Sequence, residues 1–387
     1  MLLALGFALS LGGCQSGDGD DDGPSVEPAP VVKALVSDWR NLRLDLIDAG
    51  PLFGEQAAAV LKEDLVVDEL DLSSYVHGPL NAEVSPDGRY ALVSLSAGFF
   101  VVEGAGALVR AGEIPQGPGQ VLVIDLNTLE IVAELETGNG PMGIVFADEG
   151  RRALVAHFAS GNLAVVDLSG DVPSLLEDAG VDVGLYAEEM AVSESGKAGI
   201  VSYSAAGNVR TFDPRDPANT LSEPLERPGD AAGVAFFPGS QVAFVVQAPN
   251  ALSGEAGGYD VVDVADPSNP VLLAGVRDDD APIMYPAAPA EERGTVLVPI
   301  SDDRELRLRE YSLLVSGEVE LVQEIPLGAT HFFGAYGVVA KGARHALLSV
   351  PGDRLLMVVD LDTGAFERVT WGAAASDAGP MDVALIE

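Results

Sequence analysis

Apolar residues recur along this chain in short alternating runs separated by Gly, Asn, Asp and Ser, which is the two-residue period of strands. Residues 140–168, GPMGIVFADEGRRALVAHFASGNLAVVDL, hold one such unit: an apolar strand, a glycine turn, an alternating strand, a Ser-Gly-Asn turn and a third strand ending in Asp167. That order predicts an antiparallel meander.

The same phrase returns as HGPLNAEVSPDGRYALVSLS (77–96), completed after an insertion by VLVIDLNTLEIVAELETG (121–138), and again in degraded form through Met190, Gly233, Pro286 and Gly334. Turn glycines fall at Gly88, Gly150, Gly196, Gly239, Gly294 and Gly342, a spacing that suits four-stranded blades. A further first strand, GPMDVALIE (379–387), has nothing after it, while KALVSDW (33–39), RNLRLDLID (40–48) and DLVVDELDLS (64–73) read as second, third and fourth strands lacking a first. Joining the two ends predicts an all-β fold over 31–387: a seven-bladed β-propeller of four-stranded antiparallel blades, closed by a C-terminal innermost strand that pairs with N-terminal strands. Residues 50–63 look helical at their Ala-rich end and would form an excursion between two strands. The apolar insertion from Ala97 to Gln120 would fold as a hairpin over the channel mouth or enlarge the outer edge of its blade.

Gly78-Pro79, Ser85-Pro86-Asp87-Gly88, Val155-Ala156-His157 and Val123-Ile124-Asp125 together resemble the YVTN-type propeller repeat of surface-layer-like exported bacterial proteins. The resemblance spans about 31–387 and implies the fold; that family hosts many binding roles, so it implies little about the ligand.

The N-terminus adds an address. Leu2 to Leu11 is too short an apolar run to span a bilayer and suits the core of an export signal. Leu11-Gly12-Gly13-Cys14 follows and resembles a bacterial lipobox, which implies a signal peptide over 1–13 and lipidation of Cys14. The polar, Gly- and Pro-rich stretch that follows, within 14–30, reads as a flexible acidic tether. By the same resemblance Gln15 after Cys14 favours the outer membrane, with the lipid as the only membrane contact. A buried Cys in an ordinary N-terminal helix is the competing reading.

Charge narrows the partners. With 60 acidic against 21 basic residues, net −39, the chain repels phosphate backbones and anionic lipid, which excludes nucleic acid as a partner. Carboxylates in such number with four Lys also suit solubility in a salty medium. A monomer that meets a protein or small-molecule ligand is expected.

Ligands of propellers usually meet the face that carries the loops entering the innermost strands. On that face the sequence places His77, Glu188, Glu189, Tyr285 and His331, with Glu83 on the first inner strand. Acidic clusters gather there too, and Glu188, Asp302 and Asp353 are candidate metal ligands, their hard oxygens suiting Ca²⁺; solvated loops explain such runs equally. Asp125, Asp167 and Asp360, one per blade at a third-strand end, are expected to shape turns. No phosphate loop, Gly-x-Ser-x-Gly elbow or Cys nucleophile appears. Two functions stay open: a non-catalytic binding propeller on the outer membrane, or a divalent-metal-dependent hydrolase of the lactonase kind with its site at the channel mouth.

Overall fold

The computed structural model describes residues 32–39, 41–53, 62–96, 118–203, 208–227, 229–249, 256–278, 283–284, 286–301, 305–330, 334–371 and 379–386. Near the N-terminus lie β1 (Lys33–Asp38), β2 (Arg43–Asp48) and β3 (Val66–Asp71). Blade one is β4 (Gly78–Val84), β5 (Tyr90–Ser96), β6 (Pro118–Asp125) and β7 (Glu130–Asn139). Blade two is β8 (Pro141–Ala147), β9 (Arg152–His157), β10 (Asn162–Asp167) and a broken outer strand, β11 (Ser174–Leu175) and β12 (Val181–Asp182). Blade three has β13 (Ala187–Val192), β14 (Gly199–Tyr203) and β15 (Val209–Phe212). Blade four is β16 (Asp230–Phe236), β17 (Val242–Ala248), β18 (Gly257–Asp263) and β19 (Val271–Asp278). In blade five a split inner strand, β20 (Ile283–Met284) and β21 (Ala288–Ala290), precedes β22 (Thr295–Ser301), β23 (Glu305–Leu313) and β24 (Val319–Ala329). Blade six is β25 (Gly337–Lys341), β26 (His345–Val350), β27 (Leu355–Asp360) and β28 (Phe366–Thr370).

The seventh blade closes the ring. β29 (Val383–Ile386) lies against β1 in antiparallel register, Lys33 opposite Ile386 and Val36 opposite Val383, and the sheet continues through β2 to β3. Ser37 and Asp382 extend the pairing: Ser37 N–H donates to the Asp382 carbonyl at 3.0 Å, and Met381 N–H to the Ser37 carbonyl at 2.7 Å. The expected seven blades and their closure are therefore present. Blade three departs from the expected four strands, because Ser222 and Leu225 bond to β15 without forming a regular strand. Between β2 and β3 the chain makes a 3-10 turn at Gly50–Phe53 and a helical turn at Lys62–Leu65. The Ala97 to Gln120 insertion lies outside the described residues up to Gly117.

Burial explains the patterning. Seven apolar clusters fill the seven gaps between neighbouring blades, for example Leu92, Val123, Ile144 and Val155 between blades one and two, and Leu347, Val358, Ile47 and Val383 between six and seven. Second strands are sandwiched on both faces, so β5 is buried at every residue, whereas outer strands such as β7 alternate exposed and partly buried. The Ser85–Gly88 turn shows why its residues are used. Ser85 Oγ donates to Asp87 Oδ1 at 2.6 Å, the carboxylate accepts the Arg89 N–H at 3.1 Å, and Gly88 takes φ 66°. Asp125, Asp167 and Asp360 likewise accept backbone N–H groups two residues on, at 2.8, 2.9 and 3.0 Å. No helix among the described residues is long and apolar enough to cross a membrane.

Candidate functional site

The innermost strands share a device that aims side chains at the ring axis. Their pairing with the second strands slips by a residue between Pro79 and Ala82, Pro141 and Ile144, Ala187 and Met190, and Ala231 and Val234. Such a bulge leaves residues out of the ladder and turns them. In two of these bulges the freed N–H finds a serine on the second strand, Asn81 N–H donating to Ser94 Oγ at 3.1 Å and Glu189 N–H to Ser202 Oγ at 3.2 Å; in the regular ladder of blade six Gly337 N–H donates likewise to Ser349 Oγ at 2.7 Å. Asn81, Gly143, Glu189, Gly233, Gly337 and Asp382 thus occupy corresponding places around the ring.

Two layers follow from this. On the side of the loops that enter the innermost strands, Leu80, Met142, Phe158, Tyr336 and Met381 form one buried cluster drawn from blades one, two, six and seven. Beyond it, Tyr336 Oη donates to Asn81 Oδ1 at 3.3 Å, and Asn81 Nδ2 reaches Glu189 Oε1 at 3.5 Å, a polar chain linking blades six, one and three. Asp382 joins from blade seven, accepting the N–H of Ala82 at 3.0 Å and of Val383 at 2.8 Å. Together with Glu83 these residues line a small polar cavity of about 110 Å³.

This floor opens into a wider axial funnel of about 550 Å³ that shares Glu83, Met190, Val234 and Asp382 with it. Val145, Ala191, Ala235, Ala288, Val339 and Ala384 are among its walls, and Pro86, Glu194, Pro238 and Glu291 stand at the mouth, on the turns between first and second strands. Each innermost strand is also an edge of its sheet, so free peptide N–H and C=O groups run along the walls. No Lys, Arg or His lies among the described lining residues.

Electrostatics follows from that composition. Burial, then the Asp382 charge, pushes the Glu83 carboxyl up to about 8. Glu83 exposes surface to the funnel, yet it lies deep in the ring beside Asp382 and Glu189, whose carboxyls share the same small cavity. Burial, then the charges of Glu188, Asp382 and Glu83, holds Glu189 well above the ordinary carboxylate range. Asp382 rises to about 6 through burial, opposed by its two backbone N–H partners. At neutral pH the floor therefore holds protons that a cation would displace.

The sequence-derived candidates distribute unevenly. Glu83 lines the funnel. Glu188 is buried one residue before Glu189, and its charge raises the Glu189 carboxyl. His77 is half-buried just before β4, with its imidazole pKa lowered by burial, and does not line either cavity. Asp353 accepts a hydrogen bond from Thr330 Oγ1 at 2.5 Å, in the connection between β26 and β27. Tyr285, His331 and Asp302 lie outside the described residues, as does Cys14. Among the described residues no group of three or more His, Cys, Asp or Glu is arranged to hold a metal ion. The wide cavity opens at the turn end of the ring, opposite the loops expected to bear a site. Asp382, Asn81 and Tyr336 were not singled out from sequence. Aligning Gly78-Pro79-Leu80-Asn81 with Gly379-Pro380-Met381-Asp382 would have found two of them, since both phrases carry a polar residue at the fourth place.

Comparison with known proteins supports the fold alone. No model of a protein family matches the chain, and no curated protein matches it. Among solved structures, a periplasmic gluconolactonase of Pseudomonas aeruginosa superposes with a TM-score of 0.65 at 15% identity, covering 92% of this chain and 99% of that one. A putative 6-phosphogluconolactonase of Bacteroides fragilis gives 0.64 at 11% identity, covering 94% and 100%. The Cps50 β-propeller domain of Myceliophteria thermophila gives 0.53 at 10%, covering 76% and 87%. These propellers share this backbone, and identities this low carry no activity across.

Proposed function

We propose that the chain is a non-catalytic binding propeller of the YVTN-type, tethered to the bacterial outer membrane through lipid on Cys14, and that its axial funnel is the ligand site. One observation supports the binding reading above others: the deepest polar groups, Glu83, Glu189, Asp382, Asn81 and Tyr336, converge at the end of a cavity large enough for a small molecule. No Ser, Cys, Thr or Lys paired with a base lies among the described lining residues, so the nucleophile-and-base geometry of covalent hydrolysis is not built there.

Ligand-observed NMR with a fragment mixture tests the site, using Ala191→Trp to fill the funnel. Fragments whose signal vanishes in that variant, while its melting temperature stays near that of the parent, are expected. A set of fragments indifferent to Ala191→Trp would overturn the funnel as the site. Steady turnover of a gluconolactone by the purified chain with added Ca²⁺ would replace the binder by the lactonase-type hydrolase. The anchor has its own test: Cys14→Ser should move the protein from the membrane fraction to the soluble one, and persistence in membranes would refute lipid anchoring.

A further inference from the structure

We propose that the funnel selects an organic cation, a primary or secondary ammonium carried on a compact apolar body, with the ammonium on the floor and the body against the walls. The inference rests on the funnel being the ligand site and names the chemistry it takes.

The floor supplies only what an ammonium needs. Glu83, Glu189 and Asp382 reach the axis from three different blades, and the Asn81 side-chain oxygen and Tyr336 hydroxyl stand beside them. Among the described residues no side chain hydrogen-bonds the Glu83 carboxylate, and the single partner of Glu189 Oε1, Asn81, is at 3.5 Å, the outer limit of a hydrogen bond. Three acids held together without a counter-charge leave acceptors for a donor that brings positive charge. A primary ammonium has three N–H donors, a secondary one two, and neither has an acceptor, so either can donate to several of these oxygens while bringing the missing positive charge.

The walls set the shape of the rest. Val145, Ala191, Ala288, Val339 and Ala384 are small, which leaves about 550 Å³ for an apolar body. The charged groups facing the cavity are all acidic: Glu83, Glu189 and Asp382 at the floor, with Glu188 behind, and Glu194 and Glu291 at the mouth. A carboxylate or phosphate ligand would meet repulsion along the whole path. A chain of net −39 also draws cations toward this opening. Because Glu83, pushed up to about 8, and Glu189, held well above the ordinary carboxylate range, keep protons on the floor near neutrality, cation binding expels protons.

Calorimetric titration at pH 7.5 with cyclohexylammonium, cyclohexanol, cyclohexanecarboxylate and calcium chloride tests the class. Cyclohexylammonium is expected to bind, releasing protons as read from the dependence of heat on buffer ionisation, and to weaken at least tenfold in both Asp382→Asn and Glu189→Gln. Glu189→Gln replaces a carboxyl that already holds its proton, so this variant should melt no lower than the parent and separates lost binding from lost folding. Equal or tighter binding of cyclohexanol or cyclohexanecarboxylate would overturn cation selection. So would Ca²⁺ binding that the same two variants abolish while cyclohexylammonium does not bind. If the four probes fail but other fragments still depend on Ala191→Trp, the cation class falls and the funnel site stands; if neither screen finds a funnel ligand, both fall.

Discussion

The inner and outer strands of the same blades obey different rules. Inner strands are mostly buried or half-buried, bulged at corresponding places in four blades, and bring Asn81 and Glu189 to the axis beside Asp382. Outer strands vary: β7 and β24 are long, the outer strand of blade two is broken into β11 and β12, and blade three has only Ser222 and Leu225 in its place. An outer strand meets water on part of its surface, so its loss removes little packing. An inner strand touches both neighbouring blades and the axis, so its backbone is constrained from three sides.

The contrast breaks most completely if an inner strand is removed. Deleting Gly379 to Glu387 should abolish cooperative thermal unfolding by stripping β29 from β1; a truncated chain that melts at the parent temperature would show that closure contributes nothing.

Next in size is a single inner-strand glycine. At Gly143 a Cβ would stand 2.6 Å from the Glu188 carbonyl oxygen, so two inner strands approach too closely for any side chain. Gly143→Val should cost about 3 kcal/mol or more by urea denaturation. A loss under 1 kcal/mol would mean the strands separate freely.

Smaller, and opposite in sign, is the effect of the floor. Glu83 and Asp382 hold their protons more tightly folded than unfolded, so the native state binds more protons and stability falls as pH rises. For Asp382 the loss runs from about pH 4 to about 6, and for Glu83 from the ordinary glutamate range to about 8. Asp382→Asn should flatten the lower part of the melting-temperature profile and raise its value at pH 8. A parent profile that climbs through this window would contradict the uncompensated floor.

The smallest effect belongs outside. Leu321 on β24 is 46% exposed, and Leu321→Ser should change stability by no more than about 0.5 kcal/mol. A larger loss would reveal packing on that edge.

How much was legible in the sequence follows the same division. Blade count and closure could be read because inner and second strands repeat their phrase, from Gly78-Pro79 to Gly379-Pro380. The short outer edge of blade three could not, since that edge depends on isolated bonds from Ser222 and Leu225 to β15 rather than on a pattern. Glu83 could be placed by strand alternation. Glu189 could be placed near the entry to the third inner strand, but its meeting with Glu83 depends on the bulge between Ala187 and Met190, which leaves no distinctive residue, and Asp382 precedes β29, where period-two counting does not reach. The polar chain from Tyr336 through Asn81 to Glu189 joins residues of three blades and exists only once the ring has closed.

Closure of blade seven also sets the order of events in making the molecule. β1 emerges among the first strands from the ribosome, yet its inner partner β29 follows every other described strand. Until residues 383–386 are synthesised, the inner edge of β1 lacks its native partner, and that contact joins positions near opposite ends of the chain. The circle is completed only once β29 has been made, after every other described strand, so the growing chain holds six blades before it can hold a ring.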